Sequence, residues 1–224
     1  MEIKSHILLG EYLLNNISYF SSAHRKVFIL GCVTPDINMF SYLRGSLKYR
    51  RFRGHNYTSS KNYTARELNK LQNRRSWNLR DSYRLGKVIH YLSDSFTYPH
   101  NDSFKGTLAQ HRLYESRLHS YLKEYLKQHC RKDDSGSSEG EASEIDELRK
   151  KYEKNSGEIP YDAIAVTQSA SYVMTSMSFA GSGNCMLSTV SGTSSAAAFE
   201  KQFFRRISDS LTALRRRILS HKAV

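Results

Sequence analysis

The sequence predicts an all-α protein, and three observations carry that prediction. Proline is scarce, at 3 of 224 residues, so little interrupts helical order. Apolar residues recur at helical spacing through several long stretches. The remaining signal is a run of small and charged residues, RKDDSGSSEG from Arg131, which reads as a flexible polar insertion near 131–145. The length suits one domain over residues 1–224 with such an insertion.

The elements follow in order. Residues 5–19 place Ile7, Leu8, Tyr12, Leu13 and Ile17 on one helical face, with Ser5 as the N-cap and His6 in the first turn. Ala23 to Cys32 is nearly continuous apolar sequence and predicts a buried helix that Gly31 and Pro35 end. Asp36 then falls in the loop that follows, free to cap the next helix or to reach inward. Residues 41–60 are basic, aromatic and glycine-containing, and predict a loop carrying His55. Arg50, Arg51 and Arg53 beside it suit phosphate, or else form a solvated basic surface. Thr64 to Asn73 predicts a helix with Thr64 and Glu67 as a capping box.

Arg80 to Phe96 is the strongest helix, with Tyr83, Leu85, Val88, Ile89 and Leu92 for the core and Gly86 permitting close approach of a neighbour. A further helix runs from about Leu108 to His129. His119 and His129 lie on it without an assigned role. Glu141 to Lys154 is charged and helical. Pro160 opens a helix over Tyr161 to Phe179, residues 180–195 form a Gly- and Ser-rich loop, and Ala196 to Ser220 forms the last helix. The C-terminal helices thus span about 160–221.

Composition narrows the function. No run approaches the ~20 apolar residues of a membrane span, and the N-terminus lacks a signal-peptide pattern, which predicts a cytoplasmic protein. Cys32, Cys130 and Cys185 are few, odd in number and far apart, so no disulfide framework is expected. A formal net charge of +13 favours phosphate-bearing partners, whether lipid head groups or nucleotides.

Chemistry concentrates between His90 and Glu115, HYLSDSFTYPHNDSFKGTLAQHRLYE. His90 and Asp94 are four apart, as are His111 and Glu115, so each pair shares one helical face. Pro99 breaks helical order just before His100, letting that ring turn toward the same pocket. Polar His90 and Asp94 on an otherwise buried helix are costly unless partnered. Imidazole and carboxylate with no cysteine nearby suit zinc in an open site.

These residues resemble the zinc-dependent phospholipase C family, which is related in fold to the P1-type nucleases. The resemblance rests on His90-Tyr91-Leu92-Ser93-Asp94, Tyr98-Pro99-His100 and His111-Arg112-Leu113-Tyr114-Glu115, with His6, Asp36 and His55 in the family's order. It covers roughly residues 5–120, the expected metal-site core. It implies a phospholipase C/P1 nuclease-like helical bundle with two to three zinc ions. His55, His90 and Asp94 would hold one, and His100, His111 and Glu115 a second. His6 and Asp36 would contribute to a third, with Asp36 also acting as general base.

Secreted members of the family supply an N-terminal tryptophan to the third zinc. This sequence begins with Met1, and its one tryptophan is Trp77, so the third zinc would be held more weakly. The implied activity is phosphodiester hydrolysis by a metal-activated water, on a phospholipid head group, with peripheral membrane contact and no obligate protein partner. A P1-like nuclease or nucleotidase is the alternative within the same chemistry. A non-catalytic basic helical metal-binding protein is the alternative outside it.

Overall fold

A computed structural model describes residues 1–15, 20–37, 57–74, 76–129 and 143–177. His55, the arginines at 50, 51 and 53, the 180–195 segment and the expected helix over 196–220 lie outside the described residues. The described elements are α1 (Ile3–Asn15), α2 (Ser22–Ile37), α3 (Tyr57–Gln72), α4 (Leu79–Ser95), a 3-10 turn (Tyr98–His100), α5 (Leu108–His129), α6 (Ser143–Asn155) and α7 (Ile159–Ser176). Helices alone make up the regular structure among the described residues, so the chain has the predicted all-α architecture. No described helix is long and apolar enough to cross a membrane.

Helix α4 is the centre of the packing, touching α2, α3 and α7. Its start is fixed locally. Asn78 accepts hydrogen bonds from the backbone N–H groups of Arg80 and Asp81, and the Asp81 carboxylate accepts one from the Asn78 N–H at 3.2 Å. This reciprocal cap satisfies donors that the first turn would otherwise leave open. The apolar face of α4 then buries Leu85, Val88, Ile89 and Leu92 against Phe28 of α2, Leu9 of α1 and Val166 of α7. Each such side chain contributes about 1.5–3 kcal/mol.

Two glycines set how closely α2 and α4 cross. A Cβ on Gly86 would lie 2.1 Å from the Phe28 carbonyl oxygen, and one on Gly31 would lie 2.2 Å from that of Tyr83. Neither backbone can retreat without moving a helix, so only glycine fits at either position. The close crossing puts the end of α2 beside the end of α4.

Three expectations are corrected. Helix α2 does not end before Pro35 but continues through it to Ile37, so Asp36 stands on a helical turn rather than in a loop. Proline removes one N–H donor and crowds the carbonyl four residues back, here that of Gly31, and the helix runs only two residues past it. Helix α3 starts at Tyr57, so the expected loop over 41–60 is helical at its end. Thr64 and Glu67 are buried mid-helix rather than capping it, with Glu67 paired to Lys70 at 2.9 Å. Helix α6, from Ser143, falls where Glu141 to Lys154 was expected to be helical.

Candidate metal centre

Four helices and one turn each deliver candidate ligands to one end of the bundle. Helix α1 brings His6, α2 brings Asp36, α4 brings His90 and Asp94, the 3-10 turn brings His100, and α5 brings His111 and Glu115. The side chains form two groups. Ligand atoms of His6, Asp36, His90 and Asp94 lie within 4.8 Å of one another, as do those of His100, His111 and Glu115. The structure therefore gathers His6 and Asp36 with His90 and Asp94, where the resemblance had separated them.

The first group is the more buried and the second the more open. His6, His90 and Asp94 are buried, whereas the side chains of His111, Glu115 and Asp36 reach solvent. Asp94 spans both. Its Oδ2 is 3.3 Å from His90 Nε2 and 3.6 Å from His100 Nε2, and its Oδ1 is 3.2 Å from His6 Nε2.

The spacing fits a shared ion better than mutual hydrogen bonds. Two atoms bound at 2.0–2.1 Å by one tetrahedral zinc are about 3.3–3.4 Å apart. Asp36 reaches His90 Nε2 at 3.5 Å and His6 Nε2 at 3.7 Å. His6 Nε2, Asp36 Oδ2 and Asp94 Oδ2 are buried with no hydrogen-bond partner. Buried polar atoms left in this way are costly. An ion at their common centre would satisfy all of them.

The imidazoles are also held in the protonation state that a metal requires. His90 Nδ1–H donates to the Cys32 carbonyl at 2.8 Å, and a carbonyl can only accept. The Thr97 hydroxyl donates to the Asp94 carbonyl at 2.8 Å and so accepts from His100 Nδ1–H, also at 2.8 Å. The Ser93 hydroxyl donates to the His90 carbonyl at 2.9 Å and accepts from His6 Nδ1–H at 3.4 Å. In all three rings the proton sits on Nδ1, and the Nε2 lone pair points into the cluster. Burial lowers the pKa of His100 to about 3, which keeps the ring neutral.

The carboxylates divide by environment. Burial pushes Asp36 up to about 6, with the charge of Asp94 adding to it and His6 opposing. Asp94 is held well below the usual carboxylate range: burial works against ionisation, but the His100 ring and the N-terminal ammonium outweigh it. Glu115 is lowered to about 2 against the pull of burial, chiefly by the hydrogen bond with His111 at 2.9 Å. The α-amino group of Met1 lies between the two groups, 2.5 Å from Asp94 Oδ1 and 3.2 Å from Glu115 Oε1. Burial works to lower its pKa, and the surrounding carboxylates instead raise it to about 10.

Of the residues expected at the site, His6, Asp36, His90, Asp94, His100, His111 and Glu115 are brought together, and His55 lies outside the described residues. The motif reading missed the groups that orient them. These are Cys32 through its carbonyl, Ser93, Thr97 and the Met1 amine. A hydroxyl three residues after His90 and another three before His100 were the available signals. His119 hydrogen-bonds Ser5 through Nδ1 at 3.0 Å, tying α5 to α1, and His129 donates to the Tyr125 carbonyl at 2.8 Å.

The sequence pattern described as zinc dependent phospholipase C matches residues 5–164, well over half of the chain. The chain belongs to the zinc-dependent phospholipase C family. The match runs beyond residue 120 to take in α6 and the first turn of α7. Comparison with curated proteins and with solved structures gave no match.

Proposed function

We propose that the protein is a zinc-dependent phosphodiester hydrolase that cleaves a phospholipid at its head group, in the manner of a phospholipase C. The observation that carries this reading is the convergence of imidazole Nε2 atoms and carboxylate oxygens at zinc-ligand spacing, partly buried and partly open. His6, Asp36, His90 and Asp94 would hold one ion, and His100, His111 and Glu115 another. Zinc supplies a hydroxide-strength nucleophile near neutral pH and a Lewis acid for the phosphoryl oxygens.

The protein's own groups do the rest. Asp36 reaches solvent at the edge of the cluster, where its carboxylate would orient the attacking water or take a proton from it. Asp94 stays ionised and fixes the separation of the two groups. The open side at His111 and Glu115 admits the substrate phosphate. Leu108, one turn before His111, and Leu113 are exposed apolar side chains, which suit contact with a lipid surface.

The test is a hydrolysis assay of zinc-loaded protein on phosphatidylcholine vesicles, single-stranded DNA and a nucleoside monophosphate. Release of phosphocholine, abolished in His90→Ala, supports the reading. Turnover of the DNA or nucleotide alone would favour the P1-like alternative. Stoichiometric zinc with no turnover of any substrate would favour a non-catalytic metal-binding protein.

A further inference from the structure

Outside both ligand groups, one buried carboxylate reaches the segments that carry the second group. Asp162, in the first turn of α7, is fully buried. Its Oδ2 accepts the Tyr98 backbone N–H at 3.1 Å and a short hydrogen bond from the Tyr114 hydroxyl. Its Oδ1 accepts the Gly157 N–H at 3.2 Å. The Tyr152 hydroxyl also bonds to it. Tyr98 opens the turn that carries His100, and Tyr114 immediately precedes Glu115 on α5. One carboxylate therefore fastens two of the segments that present the open ligand group.

The other flank of His100 is held from the same side of the molecule. Asn101 donates to the Tyr152 hydroxyl at 3.1 Å and accepts from the Arg149 guanidinium at 2.5 Å. Arg149 donates a further, short hydrogen bond to the Ser95 carbonyl, where α4 ends. Residues from α6 and α7 thus grip the turn on both sides of the ligand. If only packing were required, an apolar residue in place of Asp162 would avoid the cost of burying a carboxylate. A carboxylate aimed at a backbone N–H of the turn fixes its position, which packing alone does less well.

We propose that Asp162 is a positioning residue for the His100–His111–Glu115 group, acting through the Tyr98 backbone and the Tyr114 hydroxyl. The proposal rests on the reading that this group holds a metal ion. It gives α6 and α7 a role at a site to which they contribute no ligand.

The test is zinc retention during chelator titration, by plasma mass spectrometry, for the wild type, Asp162→Asn, Tyr114→Phe and Val173→Ala. The Val173 variant opens the core of the same helix away from the turn. Circular dichroism follows helix content. Asp162→Asn should weaken one class of zinc by about 10- to 100-fold and leave the tighter class and the helicity unchanged. Tyr114→Phe should weaken the same class less, and it decides the matter if the Asp162 variant fails to fold. Val173→Ala should alter neither class. A wild type that binds zinc while Asp162→Asn and Tyr114→Phe retain it equally well would overturn the proposal alone. Equal weakening in Val173→Ala would also overturn it, reducing Asp162 to a structural group. A wild type with no tightly bound zinc would overturn the metal-centre reading itself.

Discussion

His90 Nδ1 hydrogen-bonds the backbone carbonyl of Cys32 at 2.8 Å, across the crossing of α2 and α4. The contact exists because Gly31 and Gly86 let the two backbones meet. The orientation of a ligand therefore depends on the absence of two methyl groups. Gly86→Ala should destabilise the fold by about 1–3 kcal/mol and weaken zinc binding as Cys32 is pushed from His90. Thermal unfolding and zinc content measured together check both effects. A variant that unfolds earlier but keeps wild-type zinc affinity would separate the crossing from the site.

Asp94 faces His90 and His100 with the same oxygen, whereas Glu115 belongs to one group only. Asp94→Ala should therefore lose both classes of zinc, and Glu115→Ala should lose one. Metal-to-protein ratios after dialysis against a weak chelator distinguish the two patterns.

The Thr97 hydroxyl holds the proton of His100 on Nδ1. Thr97→Val keeps the shape and removes that constraint. Zinc affinity at the open group should fall by about 10-fold or more, with little change in the other group. Competition with a fluorescent zinc indicator reads the difference.

Asp162 predicts a pH dependence of stability. Burial raises its pKa from 3.8 to about 6, against the hydrogen bonds it accepts. The folded state then holds the proton more tightly than the unfolded chain. The stability contributed in this way is fully present below pH 3.8 and is lost as pH rises through 6. Asp162→Asn cannot titrate at this site, so in zinc-free protein its stability relative to the wild type should improve between pH 4 and 7, by about 2–3 kcal/mol. Urea unfolding of both proteins across that range is the check.

The sequence made the helices and most of the candidate ligands legible, for separate reasons. The α4 face showed through apolar spacing, and α5 runs from Leu108 to His129 as expected. The i, i+4 pairs at His90 and His111 showed because a helix places such residues together. The course of α2 was hidden because Pro35 usually ends a helix, yet here the chain continues to Asp36. The grouping of His6 with His90 was hidden because it depends on the α2–α4 crossing and on where α1 lies. Asp162 was illegible, since nothing local distinguishes it from an ordinary first-turn acid. Its role depends on Tyr98 and Tyr114, 64 and 48 residues away.

Whether His6, Asp36, His90, Asp94, His100, His111 and Glu115 form a zinc centre is open to direct measurement. The most direct measurement is the zinc content of the purified protein by plasma mass spectrometry, alongside His90→Ala and Glu115→Ala. Two or more zinc ions per chain are expected, with each variant losing zinc from its own group. Less than one zinc per chain, unchanged by either substitution, would contradict a zinc centre there.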